Sequence, residues 1–364
     1  MGNGTVISLG QAIVDLTMSV EKIPQPGQDV FADEAGIHVG ASYNTLHAVR
    51  QMGVDARHAG ILGTGPWADT IRRVFESEGI RHVGPTDESV DSGFCVALTD
   101  GTAERTFISM RGAEARGDES TFQNVEPADG DVVHTSGYTF AHHTGEGLRA
   151  FMRRTAPNRR FLALFDPSPV VADIDDETFG EMVEYRPVWS CNEREAVLIA
   201  GRLGLPMHQG TFRTLIERMA RRLDSALIVR VGKGGAWLAR PGAEAELVAG
   251  FPVHAIDTNG AGDCHAGVLC AELSRGDGAS RGGRNRQRGG RHRGDATGSG
   301  HMSFQNRSGE AACHANLIVI MTISWVMMCP NGSAKRTRNA LPPVRALSRK
   351  VQGSEGDITE NEQG

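Results

Sequence analysis

The stretch DTNGAGDCHAG, Asp257 to Gly267, sets two carboxylates around residues with almost no side chain, and the second carboxylate opens an apolar helical pattern, Ala266 to Leu273. Bare backbone leading into a helix lets another molecule approach closely, and the free N–H groups of the first turn then point at it. The helix dipole favours negative charge there. Gly260, Ala261 and Gly262 therefore read as an anion hole, placed where a phosphoryl group gains charge during transfer. Asp263, on the first turn, is positioned to take the proton of a hydroxyl that attacks phosphorus. At a helix N-terminus this carboxylate is expected to stay ionised and to be a weak base, which suffices when the proton leaves late in a loose transition state. A plain glycine turn before a helix is the competing reading. A calcium loop is excluded, because Ala261 and Val268 stand where that pattern requires an acid or amide and a glutamate.

Working outward, short apolar runs alternate with amphipathic stretches: TVISL, then YNTLHAVRQMG, ARHAGIL, then WADTIRRVFESEG. The rhythm continues through DVVHTSG, FLALFDPSP, PVWSCN and ALIVRVG, with helical patterns such as EGLRAFMRRTA and TFRTLIERMARRL between several of them. It predicts a parallel sheet covered by helices on both faces. QDVFADEAGIHVG and GFCVALTDGTAERTFISM read as strand without a crossover helix, and are expected to form a small antiparallel sheet standing off the main one as a lid.

Four segments in order also resemble one family. DTNGAGDCH is similar to the DTxGAGD signature of the ribokinase-like (PfkB) carbohydrate kinases. GASYNTLHAVRQMG, Gly40 to Gly53, resembles that family's GxxxNxAxxxxxLG element, CNEREA its NxxE motif, and IVRVGKGGAW its VTxGxxGA strand and turn. ERTFIS, FDPSP and GDCHAG are further similar to an uncharacterised bacterial sugar-kinase branch.

The resemblance implies a three-layer α/β/α sandwich with a β-sheet lid, spanning residues 1 to 280, and ATP-dependent phosphorylation of a sugar hydroxyl. It implies Asp263 as the base and Gly260 to Gly262 as the phosphate cradle. Asp15, Gly40 and Asn44 would hold sugar hydroxyls, although a turn aspartate and a helix cap are the plain readings of Asp15 and Asn44. Asn192 and Glu195 would help hold Mg2+ and phosphates through water, and the same spacing is equally a helix start. Gly232 and Gly235 would line the nucleotide cleft, and Arg230 stands where the family often has threonine, either on ATP phosphates or as a strand-end charge. Asp257 sits where relatives sometimes bind a monovalent cation, and lids in this family often pair into homodimers. Val39 replaces a customary glycine, which would reshape the sugar pocket.

Composition fits a soluble enzyme, with 39% hydrophobic and 23% charged residues. Six cysteines without a CxxC pair indicate neither a zinc site nor a disulfide framework, and thirteen histidines without HExxH read as core or surface residues. The opening residues lack the pattern of an export signal, so a cytoplasmic protein is expected.

Basic residues number 25 against 38 acidic over residues 1 to 280, and 13 against 6 afterwards. The acidic body argues against nucleic-acid binding and suits a small-molecule enzyme. Beyond residue 280, RGGRNRQRGGRHRGDATGSG has no apolar period, and the later run NLIVIMTISWVMMC is, at about 14 residues, too short to span a membrane. Alanine codons read in a shifted frame encode arginine and glycine, so this tail is expected to be frameshifted or replaced, and the elements with which the family closes its adenine pocket are not legible. An RGG-type RNA-binding tail is the alternative, weakened because no aromatic lies between Arg281 and Met302 for base stacking. A dinucleotide oxidoreductase is a weaker one, resting on GTGPWA, Gly63 to Ala68, as a GxGxxA match.

Overall fold

The computed structural model describes residues 4–102, 104–206, 210–250 and 260–275. In chain order its elements are β1 (Val6–Ser8), β2 (Ala12–Ser19), β3 (Glu34–Ala41), α1 (Ser42–Gln51), β4 (Ala56–His58), α2 (Pro66–Glu78), β5 (Arg81–His82), β6 (Phe94–Thr99) and β7 (Arg105–Met110). There follow β8 (Val132–Ser136), α3 (Gly137–Phe140), α4 (Thr144–Thr155), β9 (Leu162–Asp166), α5 (Asp176–Tyr185), β10 (Val188–Asn192), α6 (Glu193–Arg202), α7 (Phe212–Leu223), β11 (Leu227–Arg230), β12 (Gly235–Ala239), β13 (Glu246–Ala249) and α8 (Ala261–Arg275).

Among the described residues nine strands form one sheet in the order β13-β12-β11-β10-β9-β8-β1-β4-β5. The continuous apolar runs are strands buried on both faces, and their alternation feeds two cores. Val132, Leu164 and Ile228 pack with Leu46, Phe75 and Leu269 on one side. Their neighbours Val133, Phe165 and Val229 pack with Phe151, Trp189 and Met219 on the other. The sheet is not wholly parallel as expected: β12 and β13 return antiparallel at one edge, because the turn after β11 is too short for a crossover helix.

The lid is a second sheet of order β3-β2-β6-β7. It contains β2, a stretch to which the sequence reading assigned no element, and the β2–β6 pair is parallel, correcting the all-antiparallel expectation. Two separate chain excursions meet side by side there, so no hairpin fixes their direction.

Local signals set the helix ends. Pro66 starts α2 and Gly79, left-handed at φ 66°, ends it. The first-turn amides of Trp67 and Ala68 donate to the Asp91 carboxylate at 3.0 and 2.8 Å. That carboxylate occupies the place a dinucleotide pyrophosphate would need, so GTGPWA is a capped helix start and the oxidoreductase reading falls. His58, His134 and His265 are core residues, and burial first of all pulls their imidazoles down to about 3, 4 and 3. Among the described residues no helix is long and apolar enough to cross a membrane. Asp257 and the tail from residue 281 lie outside the described residues.

Candidate active site

A parallel sheet presents its functional groups at the carboxyl ends of its strands, where loops and helix starts converge. Here Ser136 ends β8, Asp166 ends β9, Asn192 ends β10 and Arg230 ends β11. Over this edge stands the lid, and between them lies a cavity of about 550 Å³. Its lining brings together Asp15 from the lid, Asn44 from α1, Asp166 from β9, and Gly260 and Asp263 at the start of α8.

The placement of Asp263 follows from helix packing. A side chain on Gly267 would put its Cβ 2.2 Å from the Thr45 carbonyl oxygen and 2.9 Å from Ala48 Cβ, so only glycine lets α8 lie this close to α1. That contact brings Asn44 Nδ2 to 3.1 Å from Asp263 Oδ2. Gly260 turns into the helix at φ 70°, and a Cβ there would meet Asn44 Nδ2 at 2.9 Å. Ala41 enters α1 at φ 55°, a left-handed strain for a residue with a side chain, at the point where the chain leaves the lid to deliver Asn44.

Asp263 does not behave as a helix-start aspartate was expected to. Burial, followed by the charge of Asp166, pushes its carboxyl up to about 7, while the Asn44 hydrogen bond and the Arg230 charge act the other way. Burial first, and then the neighbouring carboxylate of Asp166, outweigh the helix start. Asp15 is pushed up to about 6 by burial, with His38 opposing. The cavity thus holds a group whose carboxyl is poised for proton exchange near neutrality.

Gly40 does not line the cavity. It stands behind Asp15, and a Cβ there would lie 2.2 Å from Asp15 Oδ2, so its role is to leave the room that the carboxylate fills.

Arg230 is enclosed by acids. Its Nη1 donates to Ser190 Oγ at 2.8 Å, and Nη2 lies 3.5 Å from Asp166 Oδ2 and 3.7 Å from Glu195 Oε2. A Cβ on Gly262 would stand 3.4 Å from Nη2, so the guanidinium lies in contact range of the first turn of α8.

Asn192 and Glu195 form a reciprocal capping box: Asn192 Oδ1 accepts from the Glu195 amide at 2.9 Å, and Glu195 Oε2 accepts from the Asn192 amide at 2.8 Å. Burial and then Asp166 push the Glu195 carboxyl up. Gly235, at φ 109°, is held by a close approach, since a Cβ would strike the Val248 carbonyl oxygen at 2.0 Å. Gly232, at φ 56°, faces open space.

Asp166 was the principal group missed by motif reading. Its signal was an acid closing the apolar run FLALFD, a carboxyl-end position on a buried strand. Tyr138 and Ser168 also line the cavity, and no periodicity singled them out.

The family profile described as pfkB family carbohydrate kinase matches residues 3–282. The chain belongs to the pfkB family of carbohydrate kinases. It is 32% identical over 273 residues to the uncharacterized sugar kinase YegV of Escherichia coli, covering 75% of this chain and 83% of that protein. It is 25% identical over 282 residues to an ATP-dependent ribose-1-phosphate kinase of Halopiger xanaduensis, covering 75% of this chain and 86% of that protein. In fold this pfkB-family chain is similar to the ribokinase of Thermotoga maritima, with a TM-score of 0.63, 22% identity and coverage of 76% of this chain and 88% of that one. The expected α/β/α sandwich with a lid is therefore the fold of this protein.

Proposed function

We propose that this chain transfers the γ-phosphoryl group of ATP to a hydroxyl of a sugar held in the cavity under the lid, with Asp263 as the base. The observation that carries this reading is the Asn44–Asp263 pair at 3.1 Å on the cavity floor, beside the glycine-opened start of α8. Asn44 and Asp15 bind sugar hydroxyls, supplying donor and acceptor atoms for a polyol. The sugar oxygen forms the new bond to the γ-phosphorus, the bond from that phosphorus to the ADP oxygen breaks, and the hydroxyl proton passes to Asp263. Main-chain amides of Gly260, Ala261 and Gly262 offset the charge of the transferring group. A carboxyl near 7 makes a stronger base than an ordinary aspartate, yet is still ionised in half the molecules at neutral pH.

On the nucleotide side Arg230 exchanges its contacts to Asp166 and Glu195 for ATP phosphates, and Gly232 and Gly235 keep the turn beside the nucleotide low. Among the described residues no group of three His, Cys, Asp or Glu forms a metal cage. Glu195 and Asp166 with Asn192 instead fit a Mg2+ that arrives on the phosphates and keeps its waters, the usual habit of that ion. Bound there, Mg2+ supplies charge neutralisation of the phosphates.

We read the kinase domain as residues 1 to 280 and the sequence from 281 to 364 as frameshifted or replaced; translating the other two frames of the gene tests this by revealing or failing to reveal an Ala-rich helix. The exposed residues Ile37 and Ile108, on the lid face turned away from the cavity, support a homodimer formed through the lid, which sedimentation of the full chain tests. For the reaction itself, ADP release is measured with ATP, Mg2+ and a panel of ketoses, aldoses and nucleosides. Asp263→Asn is expected to lower kcat by about 10³-fold or more with sugar binding retained. Undiminished turnover in that variant would refute the role of Asp263.

A further inference from the structure

Arg111 immediately follows β7 and lines the cavity that also contains Asp15 and Asp263. It is exposed, and no carboxylate among the described residues lies within ion-pair distance of it. The acid close to it in the chain, Glu114, is already used: its oxygens accept from the Gly112 amide at 2.7 Å and the Gly93 amide at 2.8 Å. Facing the cavity with Arg111 is His142, whose buried Nδ1 makes no well-aligned hydrogen bond. Burial and then the Arg111 charge hold the His142 imidazole below its ordinary range, so the two groups already feel each other.

The cavity is therefore divided. Asp15, Asp166 and Asp263 supply acceptors, while Arg111 supplies five donors, no acceptor and an uncompensated charge. A neutral polyol needs donors and acceptors in mixture, and Asp15 with Asn44 already offers both. A guanidinium without an acid partner instead matches a planar or tetrahedral anion, which takes paired hydrogen bonds from its fork.

Resting on the kinase reading above, we propose that Arg111 and His142 form an anion subsite of the sugar cavity. The acceptor is then an acidic sugar, bearing a carboxylate or a phosphoryl group away from the hydroxyl that is phosphorylated. Arg111 is in this sense the specificity-determining residue, and His142 becomes a second donor once an anion is bound beside it.

The test pairs acidic sugars with neutral counterparts on the full chain: D-gluconate with D-glucose for the carboxylate, and D-ribose 1-phosphate with D-ribose for the phosphoryl group. Calorimetric Kd values and ATP-dependent ADP release are both measured. One acidic member is expected to bind at least about 10-fold tighter than its neutral counterpart, and which one identifies the anion. Arg111→Gln is expected to abolish that preference while changing the neutral sugar by less than about 3-fold, and Arg111→Lys to keep part of it. His142→Gln is expected to weaken only the acidic sugar. If both neutral sugars bind as well as the acidic ones and Arg111→Gln leaves the ratios unchanged, the anion subsite is refuted while the kinase reading stands. If a neutral sugar is the only one phosphorylated, the subsite is likewise refuted. If neither these four nor the wider sugar panel supports any ADP release, the kinase reading fails, and the binding ratios still decide the subsite.

Discussion

Asn44 and Asp263, 219 positions apart in the chain, meet at 3.1 Å because Gly267 lets α8 lie against α1. The amide hydrogen bond holds the carboxylate oriented into the cavity and favours its ionised form, against burial and the neighbouring Asp166.

Removing that bond therefore has a directional consequence. The base must be ionised to act, so activity rises with pH through about 7 in the native protein. In Asn44→Ala the carboxyl loses a stabiliser of its charged form, and the acidic limb of the kcat against pH profile is expected to move to higher pH. A limb that stays in place would show that Asn44 does not act on Asp263.

Asp263→Asn is expected to gain stability as it loses activity. A carboxyl at about 7 in the folded state and 3.8 in the unfolded chain is bound to a proton more readily when folded. Its contribution to folding thus worsens as pH rises from about 4 through 7. Denaturant unfolding at pH 8 should show the variant more stable by on the order of 1–3 kcal/mol, with the difference vanishing towards pH 4. Equal stabilities at pH 8 would mean that the site is not strained by this charge.

Gly267→Val forces a side chain into a gap where even a Cβ meets backbone. A loss of about 2–4 kcal/mol is expected, because the Thr45 carbonyl cannot rotate away as a flexible side chain would. Thermal unfolding measures it, and residual kcat in the folded fraction should fall too, since α8 carries Asp263.

Gly40→Ala touches a side chain and not a backbone atom, namely Asp15 Oδ2. The carboxylate is expected to swing aside, raising the sugar KM by about 10-fold while the melting temperature changes little. A large drop in melting temperature with unchanged KM would place the strain in the lid and not in the site.

Much of this architecture was legible before any coordinates. The buried runs around Val132, Leu164 and Ile228 read as strands because they are short, continuously apolar and alternate with amphipathic helical stretches, as a sheet covered on both faces requires. The capping pattern at Asn192 and the glycine-rich opening of α8 were likewise local, since each depends on residues within one helical turn. Strand direction at β12 and in the β2–β6 pair was not, because pairing partners come from distant excursions of the chain.

The amino-acid order by itself determined the chemical inventory: bare amides at Gly260 to Gly262, a carboxylate at Asp263, an amide at Asn44 and a covered sheet to mount them on. Tertiary structure alone decided the company those groups keep. Only packing brings Asp166 and burial to bear on Asp263, moving it from an ordinary helix-start acid to one poised near 7. Only packing leaves Arg111, among the described residues, without an acid within ion-pair distance in a cavity otherwise rich in them. Ionisation and recognition depend on dielectric and on neighbours within a few ångströms, and neither quantity is a property of positions along a chain.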